Sequence, residues 1–478
     1  MKKTQRYIAM LAACLGLAAI PAMADVVRVD TSTWFKRTTA DSSTLAAADK
    51  CWVNAGSMLG AGSASPVVAN HYAATLDTPL AGCAFSTGYF FAPHVAWVQD
   101  PVAPPAQDPA QVWYFGTLGT NAKVADDQLA PLTIAAGGNK FWKSNNPEIF
   151  TGTGWLMQNS RTDATRGGQA NQLTGCSSAY FFHINQTGGT AYVHLLASNP
   201  QAGGVTLSAK GSAYTNATKP LNGKGTGQSY YVSKDWRDGS YAVNFSNRAV
   251  ASLQATEIAK VAMSANNMAD GRFEICTTGG VYLYTVVTTT GTTSDAINKS
   301  QGAAAPGDIY STGPNTYGRE GGVYAASEMT GLTNVVLPAG SGQYIGFSFD
   351  TTAKYNSHLH EQTVAADTRL SDSATRTFGN YGHKFDTTLR LFNTTSAARD
   401  VRISFASSYT AATNTPSFTF SSPASFNGVK LDLWTTPTQP RQVIGTYTVP
   451  ANSYFDARLL VYIAGLGVTN QQLVVEAL

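Results

Sequence analysis

Two stretches of alternating apolar and polar residues, each interrupted by a polar turn, constrain the fold of this chain most. In the stretch 378–408, apolar and polar residues alternate on both sides of the turn at 393–396. A period of two places one face of each strand in a core and the other face in water. The stretch 191–210 has the same order of strand, turn and strand. Two such hairpin-like units predict two related β-sandwiches in one chain.

The length of 478 residues fits two or three domains. Short strands separated by turn residues predict an all-β fold with two tandem β-sandwich-like domains. One stretch, 250–269, spaces its apolar residues like a helix. The predicted parts are a signal peptide at 1–24, an irregular N-terminal elaboration at 25–135, a first sandwich at 136–300, a linker or long loop at 301–321 and a second sandwich at 322–478.

The N-terminus predicts export. Basic residues precede an apolar run at 8–20, and an A-x-A cleavage site follows at 22–24. The alternative is a lipoprotein cleavage box ending at Cys14, but the apolar run continues well past that cysteine. No later stretch has the roughly 18 apolar residues of a membrane span. We therefore expect a periplasmic, cell-surface or extracellular protein without a membrane span.

Removal of the signal peptide leaves an even number of cysteines, which in an exported chain predicts two disulfides. Three pairings are possible. The simplest pairs neighbours in sequence, because each bridge then lies within one predicted domain. The alternative is buried free thiols. The predicted bridges are Cys51–Cys83 and Cys176–Cys276.

Several motifs resemble a family of exported bacterial proteins that is best known from cyanobacteria and has no known function. These are NNPEIFTGTGWLM from residue 145, AYVHLLASNP from residue 191, FGNYGHKFDTTLRLFNTTS from residue 378, and the ending QQLVVEAL. In that family an N-S-P-E segment precedes the first hairpin, and G-N-Y-G opens the second. Here the first motif is Asn145-Asn146-Pro147-Glu148, which departs at its second position. The resemblance covers 141–478, implies an exported envelope protein and brings no catalytic residues.

Composition and motifs exclude several classes of function. The net charge of +3 is too small for electrostatic capture of nucleic acid. The chain has no nucleophile elbow, phosphate loop, zinc-protease helix or calcium loop. A pair of acids for glycoside hydrolysis stays open, because such a pair needs proximity in space rather than in sequence.

Tryptophans are the first candidate ligand-binding residues. Exposed aromatic rings form flat platforms for sugar rings in sandwich modules that bind glycans. Trp236 lies in the polar sequence KDWRDG, where a buried tryptophan is less expected. Core packing is the structural alternative for each of them. The four candidates are Trp142, Trp155, Trp236 and Trp434.

Histidines are the second candidate. If 354–364 is a strand, His358 and His360 project from one face and could chelate a transition metal such as zinc or copper, with His383 as a third ligand. The alternative is two solvent-facing histidines on a polar strand, and otherwise we expect no cofactor.

The sequence thus favours an exported, non-enzymatic envelope or surface protein, with a binding or structural role and with envelope polysaccharide or an envelope protein as partner. The second hypothesis is a secreted enzyme acting on polysaccharide, which requires a cleft with convergent carboxylates. The third is a subunit of an extracellular assembly, which requires an exposed sheet edge or a large apolar patch.

Overall fold

The computed structural model describes residues 25–62, 68–99, 106–160, 166, 170–308, 319–352, 360–407, 419–465 and 470–478. The predicted signal peptide lies outside these residues. The chain forms two compact units, Met1–Pro104 and Pro105–Leu478. The N-terminal elaboration was predicted to end at 135, but the residues from Pro105 onward belong to the second unit.

The N-terminal unit is a single antiparallel sheet of seven short strands. The strand order is β3-β2-β6-β5-β4-β1-β7, and its core includes Val27, Phe35 and Phe90. Short strands with frequent turns explain why the sequence reads as irregular here. The strands are β1 (Asp25–Val29), β2 (Thr33–Lys36), β3 (Lys50–Val53), β4 (Met58–Gly62), β5 (His71–Leu76), β6 (Thr87–Phe91) and β7 (Val95–Gln99), and short 3-10 turns span Ser42–Thr44, Ala47–Asp49 and Ala92–His94.

The second unit is almost entirely β. It has two described α-helices, α1 (Gln228–Asp238) and α2 (Thr293–Ser300), and a 3-10 turn at Asp126–Gln128. Its strands up to the second helix are β8 (Tyr114–Phe115), β9 (Leu129–Ala130), β10 (Ala135–Gly137), β11 (Phe141–Ser144), β12 (Ile149–Phe150), β13 (Gly154–Gln158), β14 (Leu173–Asn185), β15 (Ala191–Ser198), β16 (Val205–Thr215), β17 (Val243–Val250), β18 (Ala255–Met263) and β19 (Met268–Thr288). Those that follow are β20 (Gly321–Tyr324), β21 (Glu328–Val336), β22 (Gln343–Phe349), β23 (Ala366–Arg369), β24 (Lys384–Asn393), β25 (Arg399–Ser407), β26 (Phe420–Phe426), β27 (Val429–Thr435), β28 (Arg441–Val449), β29 (Ser453–Tyr462) and β30 (Gln471–Ala477).

The first sandwich is held together by one long strand. The first half of β19 pairs with β14 and β16, and its second half pairs with β13 and β15. The strand therefore belongs to both sheets. One sheet has the order β17-β16-β19-β14-β11-β20-β23, and the facing sheet contains β13, β15 and β18. Side chains from both sheets, such as Trp142, Phe181 and Leu195, share one core.

Two sheets facing each other form the second sandwich. One has the order β10-β21-β24-β29-β26-β27, and the other has the order β28-β25-β30-β22-β8. Its core includes Phe347, Leu391 and Phe405. The two sandwiches interleave in sequence. Strands β20 and β23 follow the predicted linker but join a sheet of the first sandwich, and β10 precedes that sandwich but joins a sheet of the second. A single cut at 301–321 therefore cannot separate them.

The stretches 191–210 and 378–408 are equivalent, but they are not hairpins. Strands β15 and β16 lie in different sheets and pair with other strands, and so do β24 and β25. Each unit is an arch that carries the chain from one sheet of a sandwich to the other. The prediction of hairpins is wrong because alternation fixes the faces of a strand and not its pairing partner.

A buried asparagine holds each arch. The Asn199 amide donates to the carbonyl oxygens of Gly203, Val250 and Ala251 at 2.8–3.1 Å, and its Oδ1 accepts from the Gln201 N–H. Asn393 makes the matching set of bonds in the second sandwich, to residues 395, 397, 449 and 450. Asn185 repeats it between β14 and β15. Each of these asparagine side chains thus satisfies backbone groups of its own arch and of a neighbouring connection between strands.

The stretch 250–269, which was predicted to be helical, contains β18 and the adjoining ends of β17 and β19 instead, and the two α-helices lie elsewhere in the chain. In α1 the buried residues Ser229, Val232, Ser233 and Trp236 follow helical spacing. Gly239 ends this helix in the left-handed conformation, with φ +69°. The helix packs against β16 and β26, so it contacts both sandwiches.

The structure contains both predicted disulfides, Cys51–Cys83 and Cys176–Cys276. The second joins directly paired residues of β14 and β19. Within the described residues, no helix combines the length and apolarity needed to cross a membrane.

Candidate functional site

One face of the N-terminal sheet presents two tryptophans side by side. Trp34 on β2 is the cross-strand partner of Trp52 on β3. Their rings meet edge to face with centroids 5.0 Å apart. Trp52 is 53% exposed, which is unusual for so large an apolar side chain. We call Trp34 and Trp52 the aromatic face.

Polar contacts fix the rings of the aromatic face. Trp52 Nε1 donates to Asn54 Oδ1 at 3.0 Å. The Lys50 ammonium lies 5.1 Å from the Trp34 ring centroid and donates to the Ser42 carbonyl at 2.6 Å. A cation over an indole ring is a favourable contact. The exposed ring of Trp52 is therefore held in one orientation while one side of it stays in water.

Alternation along two short strands creates this face. In β2, Phe35 is buried in the core, so its neighbour Trp34 points to the other side of the sheet. In β3, Cys51 and Val53 flank Trp52 and occupy the core side. The bridge from Cys51 to Cys83 anchors the strand behind the exposed ring. The alternation in TWFK and KCWV is a signal in the sequence that could have identified Trp34 and Trp52, which are not among the four candidate tryptophans.

A second polar feature lies inside the other unit, where the first sandwich meets the second. The side of β11, β14 and β19 that faces the second sandwich carries ionisable residues, and loops at the ends of β22 and β24 cover them. We call this group the polar junction. Its members are Lys143, Tyr180, Asp270, Arg272, Glu320, Asp350, Asn380 and His383.

An ion pair forms the centre of the polar junction. The Lys143 ammonium contacts the Glu320 carboxylate, and the two side chains are 0% and 4% exposed. The Phe141 and Tyr180 rings lie 5.2 and 5.5 Å from Lys143 Nζ. Burial lowers the pKa of the Lys143 ammonium, and Glu320 beside it offsets only part of that shift.

Two further carboxyls of the polar junction are buried. Asp350 Oδ1 accepts from Asn380 Nδ2 at 2.8 Å, and the Tyr180 hydroxyl donates to Asp270 Oδ2 at 3.3 Å. Burial raises the pKa of Asp350 and of Asp270 to about 7 each. Both side chains are at most 1% exposed. As the structure stands, substrate cannot reach these carboxyls, so they do not form the open acid pair that glycoside hydrolysis needs.

The G-N-Y-G motif at 379–382 builds the wall of the polar junction that belongs to the second sandwich. The Gly379 N–H donates to Glu320 Oε1 at 3.3 Å. Gly382 has a φ of +78°, and its carbonyl accepts from Arg272 Nε at 2.6 Å. A Cβ at Gly382 would lie 2.7 Å from the Tyr180 ring. The motif therefore needs glycine for both backbone conformation and close packing.

The structure corrects the set of candidate tryptophans. Trp142 and Trp155 are fully buried in the core of the first sandwich, so neither has a ring face for a sugar. Trp236 is 9% exposed, and the Arg272 guanidinium covers its ring at 4.0 Å. Trp434 is half-buried on β27, where its backbone N–H donates to Gln442 Oε1.

The three candidate histidines have different environments. His358 lies outside the described residues. His360 Nε2 is 3.1 Å from the Leu129 carbonyl oxygen, and His383 Nε2 is 3.2 Å from that of Ala326. His383 is fully buried, which lowers its pKa well below the usual value. In the part of the chain that the structure describes, no group of three or more possible metal ligands is found.

One family model matches part of the chain. Residues 245–428 match the family described as "Protein of unknown function (DUF3370)". The match lies within the stretch 141–478 and includes the G-N-Y-G motif. It covers less than half of the chain and carries no activity. No curated protein matches the chain.

Two solved structures align with this chain at low TM-scores. The tandem CBM22-1–CBM22-2 domains of Paenibacillus barcinonensis Xyn10C align at 10% identity over 72% of this chain and 91% of that one, with a TM-score of 0.15. Lac15 from a marine microbial metagenome aligns at 11% identity over 95% and 85%, with a TM-score of 0.13. Scores of this size carry no argument about function.

Proposed function

We propose that the protein is an exported, non-enzymatic binding protein of the cell envelope, and that its N-terminal unit binds polysaccharide through the aromatic face. One observation carries the proposal: Trp52 is 53% exposed, yet a hydrogen bond to Asn54 and edge-to-face contact with Trp34 fix its ring. Solvation alone gives no reason to expose an indole ring.

A pyranose ring matches the chemistry of this surface. Its axial C–H groups form an apolar face that packs on an indole ring, while its hydroxyls need hydrogen-bond partners at the edge. Asn54 and Lys50 lie at that edge, next to Trp52 and Trp34 respectively. A protein partner would favour a larger apolar surface than two rings provide.

Export is part of the same proposal. Two disulfides are consistent with folding in an oxidising compartment. Polysaccharide of the cell envelope would then be within reach of the aromatic face.

Binding of the mature full-length protein to a panel of purified envelope and plant polysaccharides tests the proposal. Affinity electrophoresis finds the ligand, and calorimetry measures the affinity. We expect Trp52→Ala to weaken binding at least about fivefold, because a sugar–indole stack contributes on the order of 1 kcal/mol or more. Trp34→Ala should weaken it less, because Lys50 lies over that ring.

Phe115→Ala provides the matched control, since Phe115 is an aromatic residue that is 84% exposed in the other unit. It should leave the affinity unchanged. Wild-type protein that binds nothing in the panel, or Trp52→Ala protein that binds as well as wild type, would contradict the proposal. Self-association that Trp52→Ala abolishes would instead favour a subunit of an assembly.

A further inference from the structure

The burial of the Lys143–Glu320 ion pair in the polar junction carries a large desolvation cost. Both side chains are essentially removed from water. Burial of two opposite charges costs several kcal/mol for each ion, and their attraction offsets that cost only when the remaining donors and acceptors are also satisfied. Among the described residues, Lys143 Nζ has no hydrogen-bond partner other than its contact with Glu320. An ammonium in this place leaves buried N–H groups unsatisfied.

We propose that Lys143 and Glu320 become joined by an intramolecular isopeptide bond after the chain folds. The amide replaces two buried charges with one neutral group and has a single N–H. It therefore removes both the charge burial and most of the unsatisfied donors that the ion pair leaves.

The position of the two residues suits this reaction. Lys143 lies on β11, and Glu320 immediately precedes the neighbouring strand β20, where Ser144 pairs with Gly321. The ladder between the strands holds the amine against the carboxyl group, which replaces a bimolecular encounter with a fixed one. Rings of Phe141 and Tyr180 surround the amine and exclude water that would compete or reverse the reaction.

Protonation also favours the reaction. A lysine attacks only as the neutral amine, and burial lowers the pKa of Lys143. Transfer of one proton from the ammonium to Glu320 Oε2 gives a neutral amine and a neutral carboxylic acid. This transfer is easier in a site of low polarity because it removes two charges.

The bond changes balance without any co-reactant. The Lys143 Nζ lone pair forms a bond to Glu320 Cδ, and negative charge develops on Oε1. The Gly379 N–H, which already donates to Oε1, stabilises that charge. The Cδ–Oε2 bond then breaks, and Oε2 leaves as water with its own proton and a second proton from the amine. The ammonium and carboxylate together become one amide and one water.

Mass spectrometry of the mature full-length protein tests the inference. The intact mass should be lower by one water than the mass calculated from the sequence with both disulfides formed. A tryptic digest should contain a branched peptide in which residues 141–161 are joined to residues 320–354 through Lys143 and Glu320. Wild-type protein at the full calculated mass, with residues 141–143, 144–161 and 320–354 released as linear peptides, would overturn the proposal.

Lys143→Arg and Glu320→Ala should each have the full calculated mass. Lys143→Arg keeps the positive charge but presents a guanidinium, which does not react. Lys384→Arg is the matched control, because Lys384 pairs with Glu328 at 3.0 Å in a half-buried setting. It should still lack one water. Because the wild-type mass and digest together decide the matter, misfolding of a variant would not leave the proposal untested. A loss of water that persists in Lys143→Arg would place the modification elsewhere and overturn the assignment.

Discussion

The aromatic face and the polar junction invert the usual distribution of residue types. In the N-terminal unit, the ring of Trp52 is left in water, while in the second unit Lys143, Asp270 and Asp350 are withdrawn from it. Burial of ionisable groups costs stability, whereas a ring that is mostly in water changes stability little. The difference shows that the aromatic face is open to solvent, whereas the polar junction is closed and lies where the two sandwiches meet.

The largest effect should follow from adding one methyl group to the wall of the polar junction. Gly382→Ala places a Cβ 2.7 Å from the Tyr180 ring and 3.0 Å from the Phe141 ring, at a φ of +78°. We expect a loss of about 3 kcal/mol in the free energy of unfolding, from overpacking and backbone strain together. Chemical denaturation followed by tryptophan fluorescence measures it.

Gly428→Ala is the matched control for this variant. Gly428 has a φ of +80°, but no described atom lies within 4 Å of an added Cβ. It should cost only about 1 kcal/mol, the backbone part alone. Equal losses for the two variants would show that the junction is loosely packed and would remove the contrast with the open face.

A smaller effect should appear in the pH dependence of stability. A carboxyl whose pKa is higher in the folded chain takes up a proton on folding, so the free energy of unfolding decreases as pH rises from about 4 to about 7. Asp350, with its pKa raised to about 7, contributes to this decrease. Burial lowers the pKa of His383, so this group makes the free energy of unfolding increase with pH below the usual pKa of histidine. The wild-type profile therefore shows only the sum of these opposite contributions.

Asp350→Asn isolates the contribution of this one carboxyl. Relative to wild type, the variant should gain about 2 kcal/mol between pH 5 and pH 8. Its Oδ1 can still accept from Asn380. Asp108→Asn, at an exposed residue, should leave the wild-type profile unchanged. Parallel profiles for Asp350→Asn and wild type would mean that Asp350 is not held away from water.

The smallest change in stability is expected at the aromatic face. Trp52→Ala removes a ring that is mostly in water, so we expect a loss of no more than about 1 kcal/mol in the unfolding of the N-terminal unit. Phe35→Ala, in the core side of the same sheet, should cost about 3–5 kcal/mol. A large loss for Trp52→Ala would make the exposed ring a structural element and weaken the proposal of ligand binding.

The sequence by itself determined the local features of this protein. Alternation in residues such as Leu389 and Leu391 gave the strands, and their buried faces follow from it directly. The even cysteine count and sequence proximity gave the two disulfides. The residue types of the G-N-Y-G motif at 379–382 also suit the conformation found there, because glycine and asparagine tolerate positive φ, and Asn380 and Gly382 have values of +47° and +78°.

Only the tertiary structure decided how these elements combine. Alternation does not determine which strand a given strand pairs with. The strands on either side of Asn393 therefore look like a hairpin in the sequence, and only the contacts of Asn393 with residues 449 and 450 show that they form an arch. Exposure of Trp52 and burial of Trp142 depend on which face of a sheet meets another layer. Likewise, Lys143 and Glu320 are far apart in sequence, and the pairing of β11 with β20 brings them together.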